Sequence, residues 1–168
     1  KIVNTLGADI LRLWTASIDY QSEILVSDQS FQRVSDSYRR IRNTLRFLLA
    51  NLKDFDFKQH EVPFHKMVAL DAWVVSKALI YQQEIQEAYR KFEFHVVYQK
   101  LQHFCINELG AFYLDVIKDR QYTGAKQGHA RRSAQTALYH VLEAMVRWMA
   151  PILSFTAEEV WHYMPNRP

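Results

Sequence analysis

Residues 37–47, SYRRIRNTLRF, concentrate side chains that could do chemistry. Arg39, Arg40, Arg42 and Arg46 fall within one short stretch of a chain whose formal net charge is only +3. On a helical wheel with Arg39 at 0°, Arg46 falls at about −20°, Asn43 at about 40°, Phe47 at about 80° and Arg40 at about 100°. These five make one continuous face. Arg42, at about −60°, borders the apolar stripe of Tyr38, Ile41, Leu45 and Leu48. A solvated helix face ordinarily mixes signs, with an acid one turn from each base. Here no acid lies between Arg39 and Leu52. Guanidinium forks suit phosphates, an amide suits base edges and an aromatic suits stacking, which together are what a single-stranded RNA loop demands. A protein partner and plain solvation remain open on the residues alone.

A second basic zone comprises Lys118, Arg120, Lys126, Arg131 and Arg132, partly offset by Asp115 and Asp119. It reads either as a solvated loop or as a secondary contact for a long anion, touching phosphates without reading sequence. Catalytic patterns are absent. No two Glu-x-x-His motifs fall on facing helices, no HExxH motif or Gly-rich phosphate loop occurs, and Glu84 and Glu87 have no histidine three residues on. The histidines are scattered and read as surface or satisfied core residues; no metal site is expected. Cys105 lies on an apolar stripe and reads as a core residue rather than a nucleophile. As the single cysteine it excludes an internal disulfide and a Cys-rich zinc site, and it fits a reducing compartment. Trp14, Trp73, Trp148 and Trp161 lie on or beside apolar stripes and read mostly as core.

The elements that would carry these residues are helical throughout. A short helix is expected over residues 8–17 after Gly7, with residues 19–28 as a connector. The second helix should run over residues 28–52 and bury Phe31, Val34, Tyr38, Ile41, Leu45, Leu48, Leu49 and Leu52. Residues 53–65, broken by Pro63, form a loop. A third helix fits residues 70–91, with Leu70, Val74, Ala78, Tyr81, Ile85, Ala88 and Phe92 inward. A fourth starts near Phe94 and carries Val97, Leu101, Phe104 and Cys105 toward Leu114 or beyond. Residues 118–132 read as a loop or frayed end. A fifth helix spans residues 133–149, burying Ala134, Ala137, Leu138, Val141, Ala144, Met145 and Trp148, and Pro151 closes it. Thr156 and Glu159 form a capping-box pattern opening a last helix through Trp161. Long helices with short connections predict an all-α, antiparallel helical bundle. At 168 residues and 49% hydrophobic content the chain can bury one core, and 23% charged residues argues against disorder. No apolar run suggests a membrane span. The chain starts at Lys1 and stops at Pro168 just after an apolar helical run, so it reads as a piece of something larger.

The runs GADILRLWTASIDYQSEI, SDSYRRIRNTLRFLLANL, FYLDVIKDRQYT and MAPILSFTAEEVW, in order across the chain, resemble bacterial isoleucyl-tRNA synthetases, class I aminoacyl-tRNA synthetases. GAD-x-LRLW-x-AS-x-DY follows the KMSKS loop in the isoleucine–valine–leucine group, and its RLW and DY features favour isoleucine over valine. The resemblance implies a connector helix after the catalytic domain over residues 1–26 and an anticodon-binding bundle over residues 27–168. The parent would be a cytoplasmic, monomeric enzyme that attaches isoleucine to its tRNA using ATP with magnesium. HIGH and KMSKS signatures, an editing domain and the cysteine-rich zinc module of some members are missing, so this chain alone should be inactive and hold no cofactor. Valine relatives carry Asn-Lys-x-x-Asn-x-x-Arg-Phe in the anticodon-reading helix. Aligned on its closing Arg-Phe, that pattern places anticodon contact on Asn43, Arg46 and Phe47. Arg40 matches a basic position, whereas Arg39 stands where the pattern has Asn. The implied roles are stacking by Phe47, base-edge hydrogen bonds from Asn43 and Arg46, and phosphate contacts from Arg39, Arg40 and Arg42. The equivalent domain of a valyl-tRNA synthetase and a helical protein-interaction module are the alternatives.

Overall fold

The computed structural model describes residues 2–21 and 26–165, and among them no strand forms. The expected all-α bundle is the fold. In chain order the helices are α1 (Ile2–Leu6), α2 (Ala8–Ser17), α3 (Asp28–Asn51), α4 (Phe57–His60), α5 (Ala69–Arg90), α6 (Phe94–His103), α7 (Leu114–Val116), α8 (Lys118–Tyr122), α9 (His129–Met149) and α10 (Ser154–Tyr163). A 3₁₀ turn (Phe64–Lys66) precedes α5. The long helices α3, α5 and α9 supply the walls: α5 packs along α9, and α3 packs on both α9 and α2. The apolar stripes anticipated on α3 and α5 do face this core, with Ile41, Leu45, Leu48, Val74 and Ile85 buried.

Several boundaries differ from the apolar pattern, each for a physical reason. Helix α9 begins at His129, four residues before the expected start, because its first inward residues are polar: Arg132, Ser133, Gln135 and Thr136 are buried beside Ala134 and Ala137. Residues 118–122, expected as a loop or frayed helix end, form the short helix α8. Residues 53–65 are not a plain loop either. Asp56 caps α4 through the Lys58 N–H (3.0 Å), while Phe55 and Val62 enter the core. The fourth helix widens after His103 into π-helical turns over Phe104–Tyr113, where the Leu114 N–H donates to the Leu109 carbonyl. One extra residue per turn brings Phe104, Leu109 and Tyr113 inward, a spacing that regular α-helix would not keep on one face. Phe92, expected inward, is 63% exposed. Helix α5 ends at Arg90, and Phe92 takes the left-handed position (φ 58°) that reverses the chain, with the Glu93 N–H donating to the Ala88 carbonyl at 2.9 Å.

Helix α2, within the stretch expected to be a connector, shares the bundle's core through Ile10, Leu13 and Ala16. Gly7, at φ 90°, leads into it with a backbone that a side chain would strain. Two polar residues of α2 then clasp the α9–α10 corner. Asp9, buried, accepts from both the Thr156 N–H (2.7 Å) and the Thr156 hydroxyl (2.5 Å). Arg12 donates to the carbonyls of Ile152 (2.7 Å) and Pro151 (2.8 Å) and to the Ser154 hydroxyl (3.2 Å). The anticipated capping box is therefore not the start of α10. That helix begins at Ser154, and the carboxylate in its first turn comes from Asp9.

A second buried carboxylate ties α5 to α8 and α9. Asp71 is fully buried and accepts from the Tyr113 hydroxyl (2.8 Å), the Ser133 hydroxyl (2.6 Å) and both terminal nitrogens of Arg120 (3.0 Å each). Removing one partner of such a set strands the others' polarity without solvent. We expect Asp71→Ala to lower unfolding free energy by about 3–5 kcal/mol, whereas Lys118→Ala, breaking an exposed pair, should leave the unfolding midpoint unchanged. Urea unfolding of both variants checks this.

Candidate nucleic-acid interface

Ser27 opens α3 with a reciprocal cap, its hydroxyl accepting from the Ser30 N–H (3.1 Å). Tyr38 then anchors the middle of α3 to α10 through a 2.9 Å hydrogen bond with the Thr156 hydroxyl, the same hydroxyl that reaches Asp9. With Ile41, Leu45 and Leu48 in the core, Arg39, Arg40, Asn43 and Arg46 are left on the outer surface, all exposed.

The candidates do not share one environment. Arg40 and Arg46 have no ion pair among the described residues, so their charges face solvent uncompensated. Arg39 meets Asp36 one turn back at 3.1 Å, an exposed and therefore weak pair. Arg42 is different: its guanidinium donates to Glu159 of α10 at 2.7 Å and to the Tyr38 hydroxyl at 3.4 Å. The Glu159 hydrogen bond raises the Arg42 pKa further, and the same contact holds the Glu159 carboxyl below its ordinary range. Arg42 is thus a bridge between helices as much as a free cation. Phe47 also departs from expectation. It is half-buried against the hydrophobic cluster and offers only part of its ring to the exterior. Between α3 and α10, Arg42, Leu45, Arg46, Leu49, Val160 and Tyr163 line a shallow cleft beside this face. Glu159, missed from the sequence, has no signal within α3, because it lies 117 residues away.

In the second basic zone the three arginines are engaged inside the protein, whereas the two lysines stay on the surface. Arg120 is held by buried Asp71. Arg131 makes a two-pronged pair with Asp54 (2.7 and 2.9 Å). Arg132 is buried, donating to the Asp54 carbonyl (3.0 Å), Gln135 (2.7 Å) and Gln127 (3.2 Å), and burial lowers its pKa. These arginines staple the ends of α3, α8 and α9. Lys118 pairs with Asp115 at 2.6 Å on the surface. Lys126 alone of the five is exposed without an ion pair among the described residues.

Elsewhere the side chains offer little chemistry. Burial pushes the Cys105 thiol up to about 12, which leaves it inert at neutral pH. His103 Nδ1 lies 2.5 Å from the Tyr81 hydroxyl, and His60 Nδ1 accepts from the Asp56 N–H. Among the described residues no group of three or more His, Cys, Asp or Glu could hold a metal ion, and no helix is long and apolar enough to cross a membrane.

A family model described as the anticodon-binding domain of tRNA ligase matches residues 71–167, more than half of the chain. The chain belongs to that family. Isoleucine–tRNA ligases are similar along almost all of it. The one from Shewanella oneidensis is 60% identical over 167 residues, 99% of this chain. Those from Shewanella putrefaciens and Pseudomonas aeruginosa are 62% and 60% identical over 165 residues. The chain spans 18% of the length of these curated relatives. Helix α3 lies before the stretch matched by the family model but within the stretch aligned to the ligases.

The Asp54–Arg131 pair makes a pH dependence calculable in sign. Arg131 holds the Asp54 carboxyl at about 2, below the ordinary value of about 3.9. A lowered folded pKa means the stabilisation is complete above about pH 4 and fades as pH falls toward the folded value. With Asp54 partly in solvent, about 1 kcal/mol is the expected size. Asp54→Asn should therefore flatten the loss of stability between about pH 4 and 2, as read by urea unfolding at stepped pH.

Proposed function

We propose that this chain reads the anticodon loop of an isoleucine tRNA, as the RNA-recognition part of an isoleucine–tRNA ligase. One observation supports it most: Arg39, Arg40, Asn43 and Arg46 stand together on the exposed face of a helix whose other side is locked into the core. A face with uncompensated guanidinium groups and an unburied amide suits an anion with readable edges better than water alone. Membership of an anticodon-binding family supports tRNA as that anion, and the three isoleucine relatives favour isoleucine over valine.

Asn43 and Arg46 offer hydrogen bonds to base edges. Arg39 and Arg40 hold phosphates, and the open part of the Phe47 ring stacks beneath one base. Arg42 contributes to the local field but reaches a phosphate only by loosening from Glu159. The remaining length of the ligase supplies activation of isoleucine with ATP and magnesium and its transfer to the tRNA. The whole works as a cytoplasmic monomer.

In the longer ligase, Phe47→Ala should lower tRNA-dependent kcat/KM by about 5- to 150-fold, the size of one lost stack. Asn43→Ala should narrow the preference for isoleucine over valine anticodon stem–loops, whereas Arg40→Ala should weaken both about equally. Unchanged aminoacylation in Phe47→Ala and Arg46→Ala together would sink the assignment. A helical protein-interaction module would show no anticodon preference at any salt concentration. Glu159→Gln provides an opposite-sign test: freeing Arg42 should tighten RNA binding with little gain in discrimination, at a stability cost under about 1 kcal/mol.

A further inference from the structure

The sorting of the basic residues leaves a continuation of the α3 track. Lys53 follows the C-cap residue Leu52 and is exposed, with no ion pair among the described residues. Its only acidic sequence neighbour, Asp54, is already engaged by Arg131, Arg132 and Gln135, so it does little to neutralise Lys53. The Arg131 guanidinium also ties in the segment that precedes α9. Its Nη1 lies 2.7 Å from Asp54 Oδ2 and donates at 3.2 Å to the Lys126 carbonyl, while its Nε donates at 3.2 Å to the Gln121 carbonyl. The Lys126 backbone is thereby tied through Arg131 to Asp54, the residue that follows Lys53. Helical rise puts the end of α3 about 18 Å along the axis from Arg39, so the uncompensated cations run from the base-reading face to this corner.

We propose that Lys53 and Lys126 form a phosphate clamp at the C-terminal end of α3, gripping the sugar-phosphate backbone of the RNA whose bases are read at Asn43 and Arg46. Arg131 is its positioning residue. The proposal rests on the anticodon-reading assignment and adds to it a base-independent grip and the direction in which the strand leaves the face. Lysine suits this role. Its compact ammonium takes a phosphate as a point charge and needs no fixed fork, whereas the forked arginines nearby are used up inside the protein. Lys53 also sits at the negative end of the α3 dipole, so its removal must be judged by binding as well as by stability.

The test is a salt titration of anticodon stem–loop binding in the longer ligase, by fluorescence anisotropy. The variants are Lys53→Ala, Lys126→Ala, the double variant, and Lys66→Ala as an exposed lysine elsewhere. Each clamp variant should reduce the slope of log K against log salt by about 0.7–0.9 and the double by about twice that. The ratio of cognate to non-cognate affinity should stay as in the wild type, and Lys66→Ala should leave the slope unchanged. Arg131→Lys, or Asp54→Asn should that variant not fold, should lose the slope increment of Lys126→Ala and lose no more when combined with it. A purely structural role would lower Tm without moving the slope. A loop oligonucleotide lacking the stem locates the contact. Loss with both RNAs places the clamp on loop phosphates, and loss with the stem–loop alone places it on the stem. Wild-type discrimination with slopes unchanged in the clamp variants would overturn the clamp only. A wild-type ligase with no anticodon preference would instead overturn the reading beneath it.

Discussion

Burying a carboxylate requires donors, and Asp9 finds its donors in the first turn of a helix 147 residues further on. That requirement orders the end of the bundle where recognition is proposed. Asp9 takes both the N–H and the hydroxyl of Thr156, so α10 cannot shift along α2 without stranding buried polar atoms. Arg12 fastens the other side of the same corner by taking up carbonyls freed where α9 ends. Because the Thr156 hydroxyl also meets Tyr38, the constraint passes into α3 and fixes which way its outer face turns. Glu159, carried by α10, is then within reach of Arg42.

Charge in this molecule is meaningful only after subtraction of the acids nearby. The chain contains two dense basic zones, and the structure gives them opposite uses. Around Asp71 and Asp54, arginines are taken inward, where planar forks satisfy several acceptors at once and hold α5, α8 and α9 against one another. On α3 the nearest acid before the arginines is Asp36, which reaches only Arg39. Arg40 and Arg46 are therefore left with unmatched charge, the condition under which binding a polyanion releases counterions and gains affinity.

Much of the fold was legible from apolar spacing alone. Ile41, Leu45 and Leu48 on α3, and Val74, Ala78 and Ile85 on α5, repeat at helical intervals and are buried where that spacing puts them. The boundaries that were not legible belong to residues that break the equation of polar with exposed. Arg132, Ser133, Gln135 and Thr136 are inward because acceptors and donors from α3, α5 and the segment after α4 meet them there. The π-helical turns hid in an apolar run whose spacing fits two windings. Phe92 ended on the surface because a chain reversal needed its backbone more than the core needed its ring.

The sequence by itself determined that the chain is helical, that α3 has an apolar side and a basic side, and that Asn43 stands among the arginines. These follow from 3.6-residue periodicity, a local property of the chain. Only the tertiary structure decided which cations remain free, because ion pairing depends on carboxylates brought close by folding. Arg42 met Glu159 and Arg120 met Asp71 across gaps of 117 and 49 residues. The helical wheel places a guanidinium on a face; its neighbours in space decide whether that guanidinium is still available.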